Sequence, residues 1–256
     1  MTKKKNVQDE SLAEIAIDPD VLAKELSVEI EIDPLEQIDD DNFSKENLDI
    51  KLECDEALKL LKGNKDKRIQ GLRIFCEYRD QRSFPFLLPL LDQPCPVERM
   101  SAVYALGRNP CPSAVQKLVS LLENDDNAYV RRATAWSLAN YENQIVLHPL
   151  INSLKNDVAA VRLWSSSSLA EIGSTSSSNA QLAAEQLLIS LKIDNEPVVR
   201  SNCIWSLCRL FEKLNEASQE SFVDECTKIA LFDKEPSVME EAKTALDSMG
   251  MQGFYN

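Results

Sequence analysis

Few side chains in this sequence are suited to acid–base or covalent chemistry. His148 is the one histidine among 256 residues, and Pro149 follows it. A di-iron site or a Ser–His–Asp arrangement needs more donors than this, and the six glycines form no phosphate-binding loop. His148 falls within an apolar helical pattern, where we expect a structural role. The sequence therefore predicts no catalytic, cofactor-binding or metal-binding residue.

The seven cysteines have neither the spacing of a disulfide framework nor that of a metal site. Cys203 and Cys208 are five residues apart on one predicted helix, which is not the spacing of a helical metal pair. Cys95 and Cys111 each lie between two prolines, which predicts rigid loop positions at opposite ends of a helix pair. We expect small apolar core residues, with a transient thiol interaction at Cys95 and Cys111 as the alternative. Reduced thiols indicate a cytoplasmic protein.

The charge of the chain excludes two classes of partner. Its formal net charge is −14, and no basic stripe is present to bind the phosphates of a nucleic acid. The same charge disfavours an anionic membrane surface, and no stretch approaches the length of a membrane span. An apolar content of 44% is enough for one continuous core.

Composition changes near residue 48. Residues 1–47 contain fourteen Asp and Glu against five Lys, with Phe43 as the one aromatic residue. Such a segment buries too little surface to offset the entropy of ordering, so we predict a mostly disordered acidic tail. In the alternative interpretation, Asp18-Pro19 starts a short docking helix within it. Residues 48–250 form the predicted folded domain, and 251–256 a C-terminal tail.

An internal repeat predicts the fold. An arginine is followed seven residues later by a large apolar residue in five copies, and Met239 replaces the arginine in a sixth. Successive copies are 31, 32, 31, 38 and 39 residues apart. The residue six after the arginine is small in four copies. The pairs are Arg68 and Phe75, Arg99 and Leu106, Arg131 and Leu138, Arg162 and Leu169, Arg200 and Leu207, and Met239 and Leu246.

Each arginine-containing segment is preceded in the chain by another segment with apolar residues at helical spacing. A short turn rich in Asp, Asn and Pro separates the two, as between Leu122 and Val130. Asp and Asn are expected to cap the second helix, and Pro to occupy its first turn. No strand pattern occurs. The sequence predicts an all-α fold, an α–α superhelix of about six helical pairs that must stack to bury their apolar faces.

The recurring arginines have two interpretations. Each lies near the start of a second helix, where it can bind a turn carboxylate of the same or the adjacent repeat. This would give a structural ladder of ion pairs made by Arg68, Arg99, Arg131, Arg162 and Arg200. A row of anion-binding residues is the alternative, and we favour the ladder.

Aromatic residues recur five positions after the arginine: Tyr104, Trp136 and Trp205. The second helices of such a solenoid line its concave surface, so these rings are candidates for a protein-binding stripe. Three further arginines on the same face would suit an acidic partner: Arg108, Arg132 and Arg209. Core packing of the rings is the alternative.

The fourth repeat departs from the pattern. Ser174–Ser178 is almost all serine, and the spacing between copies lengthens there from 31 to 38 residues. This composition predicts an extended polar loop that acts as a hinge or as an insertion at the binding edge.

The segments 129–138 and 161–173 resemble HEAT repeats of the phycobilisome-lyase type, and the resemblance covers about residues 50–250. It implies a cyanobacterial protein of the E/F-type lyase family. Two functions follow from it. One is a non-catalytic scaffold that holds a client in pigment–protein or iron–sulfur protein assembly, without a cofactor. The other is a phycobilin lyase or isomerase subunit, which would act on phycobiliprotein cysteines with a sister subunit and a transiently bound phycobilin. The scaffold is the prediction, and the lyase subunit is the alternative.

Overall fold

Helices account for most of the described chain. The computed structural model of the protein describes residues 43–142 and 144–251, and these contain no strand. Their α-helices form six consecutive pairs: α1 (Phe43–Leu60) and α2 (Lys65–Glu77), α3 (Phe84–Leu90) and α4 (Pro96–Arg108), α5 (Val115–Asn124) and α6 (Ala128–Leu138), α7 (Leu147–Asn156) and α8 (Ala159–Gly173), α9 (Ser177–Ile193) and α10 (Pro197–Leu210), α11 (Glu216–Phe232) and α12 (Pro236–Ser248). The predicted all-α solenoid is confirmed.

From Asp49 onward, the described residues belong to one compact unit. α1 begins at Phe43, inside the segment predicted as a tail. The remainder of that tail, residues 1–42 with the proposed helix near Asp18, lies outside the described residues. So do residues 252–256 of the predicted C-terminal tail.

The second helices of the pairs pack side by side along the chain, α2 on α4, α4 on α6, and so on to α12. From α3 onward, each first helix also packs on the second helix of its own pair. The apolar residue seven positions after each anchor is completely buried, as the repeat pattern predicts. These residues are Phe75, Leu106, Leu138, Leu169, Leu207 and Leu246. Burial of such a side chain contributes about 1.5–3 kcal/mol, so the stacked pairs supply the core that no single pair has.

Small residues let adjacent second helices approach closely, and two of them also bond across the gap. Ser168 of α8 donates its hydroxyl hydrogen to the carbonyl of Ala135 in α6 at 2.8 Å. Ser206 of α10 donates in the same way to the carbonyl of Ser166 in α8 at 2.9 Å. Serine at these positions therefore adds a hydrogen bond between neighbouring repeats while keeping the small volume that stacking requires.

The five anchor arginines each bind the helical pair that follows their own. In four cases Nε and Nη2 bind the two carboxylate oxygens of the aspartate that ends the next first helix, with N–O distances of 2.7–3.2 Å. These pairs are Arg99–Asp125, Arg131–Asp157, Arg162–Asp194 and Arg200–Asp233. Arg68 instead binds the buried Glu98 of α4 at 2.7 Å. Asp92, which follows the first helix of that pair, binds Lys117. We call the ion pairs of the five arginines the arginine ladder.

Each ladder arginine also binds the turn of its own pair. Nη1 of Arg131, for example, donates to the carbonyl of Asp125 at 2.7 Å, and Nη1 of Arg162 to that of Asp157 at 2.8 Å. Hydrogen bonds to the carboxylates raise the pKa of Arg99, Arg131 and Arg162 above its ordinary value. One guanidinium thus joins two repeats through bidentate, charge-assisted hydrogen bonds.

The turn aspartates have a different role from the predicted capping of the second helix. They bind the ladder arginines and accept one backbone N–H each within the turn, as at Asn127 and Val158. Side-chain caps at the start of second helices come from asparagine, at Asn64 and Asn127. The prediction of proline in the first turn is correct for α4, α10 and α12.

The extended loop predicted in the fourth repeat is wrong. α8 continues to Gly173, and Ser177 is already the first residue of α9, with Ser176 as its cap. The extra residues lengthen the first helix of the fifth pair to seventeen residues. A serine whose hydroxyl accepts the N–H of Asn179 starts a helix, which is why a serine run need not be a loop.

Candidate protein-binding face

The side of the second helices that is turned away from the first helices is the candidate site, and we call it the second-helix face. Side chains five and nine positions after each ladder arginine lie there, half-buried or exposed. At these positions α4 has Tyr104 and Arg108, α6 has Trp136, and α10 has Trp205 and Arg209. The three rings are therefore not completely buried, as core packing would require: Tyr104 and Trp136 are half-buried, and 37% of Trp205 is exposed.

Tyr104 of α4 and Trp136 of α6 touch each other across the two repeats. Their ring centroids are 5.3 Å apart with planes inclined at 55°, a favourable tilted contact between aromatic rings. The guanidinium of Arg108 lies 5.8 Å from the centre of the Trp136 ring. Nη2 of Arg132 donates to the Tyr104 hydroxyl at 3.2 Å, and its guanidinium lies 5.8 Å from the centre of the Tyr129 ring.

These five side chains form one continuous patch of alternating aromatic rings and guanidinium groups. We call Tyr104, Arg108, Tyr129, Arg132 and Trp136 the N-terminal cluster. Packing on the rings orders the guanidinium groups before any ligand arrives, which lowers the entropic cost of binding. Aromatic residues and arginine are also the types that contribute most to protein interfaces.

Gly107 makes room for this cluster, a role that sequence reasoning missed. A Cβ atom at this position would overlap Cζ3 of Trp136 and would lie 3.1 Å from its Cε3 atom. The helix backbone of α4 therefore forms the floor on which the Trp136 ring lies. The available signal was a glycine inside a helix, which costs stability and usually has a packing reason.

Trp205 lies in a separate cluster on α10. The Arg209 guanidinium lies 5.0 Å from the centre of its ring. Arg209 also forms an ion pair of 2.9 Å with Glu171 of α8. This cluster is therefore close to electrically neutral.

Polar residues of α8 and α10 separate the two clusters. Ser167 occupies the aromatic position of α8, and the amide of Asn202 donates to the hydroxyl oxygens of Ser166 and Ser167 at 2.6 and 2.7 Å. Trp164, three residues earlier, is half-buried. The structure thus brings Tyr104 and Trp136 together but not Trp205, and the predicted stripe consists of two distinct patches.

The cysteines give no sign of a shared site. All seven are unpaired, and no group of three or more His, Cys, Asp and Glu that could hold a metal ion occurs in residues 43–142 and 144–251. Cys111 is buried, where its N–H donates to the Tyr141 hydroxyl at 3.3 Å. Burial raises the pKa of Cys76 and of Cys208 to about 12.

Cys95 differs from the other cysteines. It occupies the N-cap position of α4, and the backbone N–H of Glu98 lowers the pKa of its thiol, with a further contribution from the Lys65 side chain. A thiolate is favoured at a helix N-terminus beside a cation. His148 also differs from expectation, because its side chain on α7 is exposed rather than part of an apolar face.

The fold defines a class of protein, the helical-repeat solenoids built from stacked pairs of helices. Within that class, HEAT repeats match residues 55–139 and 115–208, which is more than half of the chain. The protein belongs to the HEAT-repeat family. The match is to HEAT repeats in general and does not extend to lyases or to a cyanobacterial source.

Solved structures show the same architecture at low sequence identity. A designed armadillo repeat protein in complex with the peptide (KR)4 is 19% identical, with a TM-score of 0.53 over 79% of this chain and 99% of that one. The Escherichia coli protein YibA is 20% identical, with a TM-score of 0.56 over 82% and 77%.

A third structure, of a complex of Kap95p with RanGDP, is 17% identical and has a TM-score of 0.54 over 92% of this chain and 33% of that one. At these identities the likeness extends to the fold alone. No curated protein matches the chain by sequence. None of the described helices is long and apolar enough to span a membrane.

Proposed function

We propose that this HEAT-repeat protein is a non-catalytic scaffold that holds a protein client on its second-helix face. The observation that carries the proposal is the N-terminal cluster, where Tyr104 and Trp136 meet across two repeats with arginines packed on their rings. Rigid, partly exposed aromatic rings beside guanidinium groups provide contact area and hydrogen bonds at low entropic cost. The neighbouring folds support it, since one was solved with a bound peptide and another with a bound protein.

The test is a binding measurement with matched aromatic variants. Proteins captured by the immobilised chain are identified by mass spectrometry, and the Kd of each purified candidate is then measured. Replacing Trp136 and Trp205 together by alanine should weaken binding by about thirtyfold or more, since truncation of an interface tryptophan typically costs about 2 kcal/mol. Phe232→Ala is the control, because this ring is 80% exposed on the first helix α11.

Loss of binding in the double variant, with helix content and unfolding midpoint close to those of the unchanged protein, supports the proposal. Retained binding in that variant together with loss in Phe232→Ala would place the partner on the first helices and overturn it.

The client class is a finer proposal, supported by the resemblance of segments 129–138 and 161–173 to lyase-type HEAT repeats. In this finer proposal, the protein acts in the cytoplasm in the assembly of pigment–protein or iron–sulfur proteins. Its partner is a phycobiliprotein, a sister lyase subunit or an iron–sulfur assembly factor. In the lyase alternative, the rings of the N-terminal cluster would stack on a phycobilin. A shift in visible absorbance on mixing the chain with phycobilin, alone and with a phycobiliprotein, tests this alternative. An unchanged spectrum in both mixtures would eliminate it.

A further inference from the structure

The charges on the second-helix face differ between its two halves. On α2, α4 and α6, three arginines and one glutamate occupy the positions one, five and nine residues after the ladder arginine, namely Arg73, Arg108, Arg132 and Glu77. On α8, α10 and α12, the same positions contain Arg209, Glu171 and Glu240, and the first two form an ion pair. The N-terminal half is therefore locally cationic on a chain whose net charge is −14.

Arg73 and Arg108 are cations of this half that are available to a ligand. Both side chains are exposed, and neither forms an ion pair within the part of the chain that the structure describes. Trp136 covers one face of the Arg108 guanidinium, and the N–H groups at its edge remain available. That edge is the part of an arginine that binds a carboxylate through two parallel hydrogen bonds.

We infer that the N-terminal cluster, extended by Arg73, binds an acidic segment of the client in which carboxylate side chains alternate with apolar ones. This inference rests on the proposed function and specifies the partner of the same face. The carboxylates pair with Arg108 and Arg73, and the apolar side chains between them pack on Tyr104 and Trp136. An aromatic surface flanked by exposed cations selects a short peptide of this pattern by charge and by shape.

The local charge decides the attraction in spite of the net charge. At about 0.15 M salt, exposed charges more than about 8 Å apart are largely screened. A peptide carboxylate at Arg108 therefore experiences mainly that guanidinium and little of the more distant acidic surface. A basic peptide finds no equivalent partner here, because Glu77 is the one acidic residue at these positions on α2, α4 and α6.

The test uses fluorescence polarisation with two labelled peptides, one of four Glu-Leu repeats and one of four Lys-Arg repeats, on the full chain. The Glu-Leu peptide should bind, and raising the salt from about 0.15 M to about 0.5 M should weaken it several-fold. Arg108→Glu should weaken it about tenfold or more. Arg209→Glu is the matched control, since Arg209 occupies the same position three pairs later and also packs on a tryptophan, but is neutralised by Glu171.

Weakening by Arg108→Glu and not by Arg209→Glu supports the inference, and equal effects of the two variants would overturn it. Preferred binding of the Lys-Arg peptide would also overturn it. So would binding of a phosphoserine-containing peptide when the Glu-Leu peptide does not bind, because the site would then select phosphate. If neither acidic peptide binds while a captured client still depends on Trp136 and Trp205, the inference fails and the proposed function stands.

Discussion

Removing one rung of the arginine ladder tests how the repeats are joined. Arg131 of α6 binds both oxygens of Asp157 at 2.7 and 2.8 Å, and its side chain is 18% exposed. Its Nη1 also donates to the carbonyl of Asp125 at 2.7 Å. Arg131→Ala removes these three bonds and leaves the carboxylate of Asp157, 11% exposed, without its cation.

The expected cost follows from that geometry. A hydrogen bond to a charged group contributes about 1.5–3 kcal/mol, and breaking a fully buried pair costs about 3–5 kcal/mol. Because this pair is partly solvated, we expect Arg131→Ala to lower the free energy of unfolding by about 2–4 kcal/mol. Lys59→Ala is the control, since Lys59 and Glu56 form an exposed pair within α1, and a change below about 0.5 kcal/mol is expected there.

The assay is urea unfolding followed by circular dichroism, with Arg131→Ala, Asp157→Ala and the double variant compared as a cycle. The two single changes should be clearly non-additive, with a coupling energy of about 1–2 kcal/mol, since both remove the same contact. An Arg131→Ala cost as small as that of Lys59→Ala, or strict additivity in the cycle, would refute the view that the ladder stabilises the stack.

Two further predictions concern the site and the reactive thiol. Gly107→Ala should displace the Trp136 ring and change the near-ultraviolet circular dichroism of the protein. It should also destabilise the protein by about 1–3 kcal/mol, as overpacking does. An unchanged spectrum with unchanged stability would contradict the close approach of the Trp136 ring to Gly107. Cys95 should be alkylated by iodoacetamide at a lower pH than Cys76, because a helix N–H lowers the pKa of the first thiol and burial raises that of the second. Peptide mass spectrometry after short labelling pulses at a series of pH values measures the alkylated fraction of each cysteine. A half-labelling pH that is higher for Cys95 than for Cys76 would contradict this prediction.

Much of the fold could be predicted because each copy of the repeat has characteristic residue types at fixed positions. An arginine followed by a leucine seven residues later, as at Arg131 and Leu138, reports both an ion pair between repeats and a buried core position. Residue type predicted the local structure less well where the same residue is common in two kinds of structure. The serines near Ser177 suit a loop or a helix start, and the packing of α9 on its neighbours decides for the helix.

The candidate site was predictable by residue type but not by arrangement. Spacing placed Tyr104, Trp136 and Trp205 on one face, yet it contained no information on the distance between helices. The contact of Tyr104 with Trp136 depends on the glycine at 107, and the isolation of Trp205 depends on polar bonds made by Asn202. Both are tertiary effects, and they divide the predicted stripe into two patches that differ in charge.

The most direct test of the proposed function is site-specific photo-crosslinking of a bound client. Benzoylphenylalanine is introduced in place of Glu77, an exposed residue of the second-helix face on α2, or, in a separate variant, in place of Ile189 on the first helix α9, where the side chain is 48% exposed and apolar. Crosslinks from position 77 and none from position 189 are expected if the second-helix face holds the client. Crosslinks confined to position 189 would contradict this account.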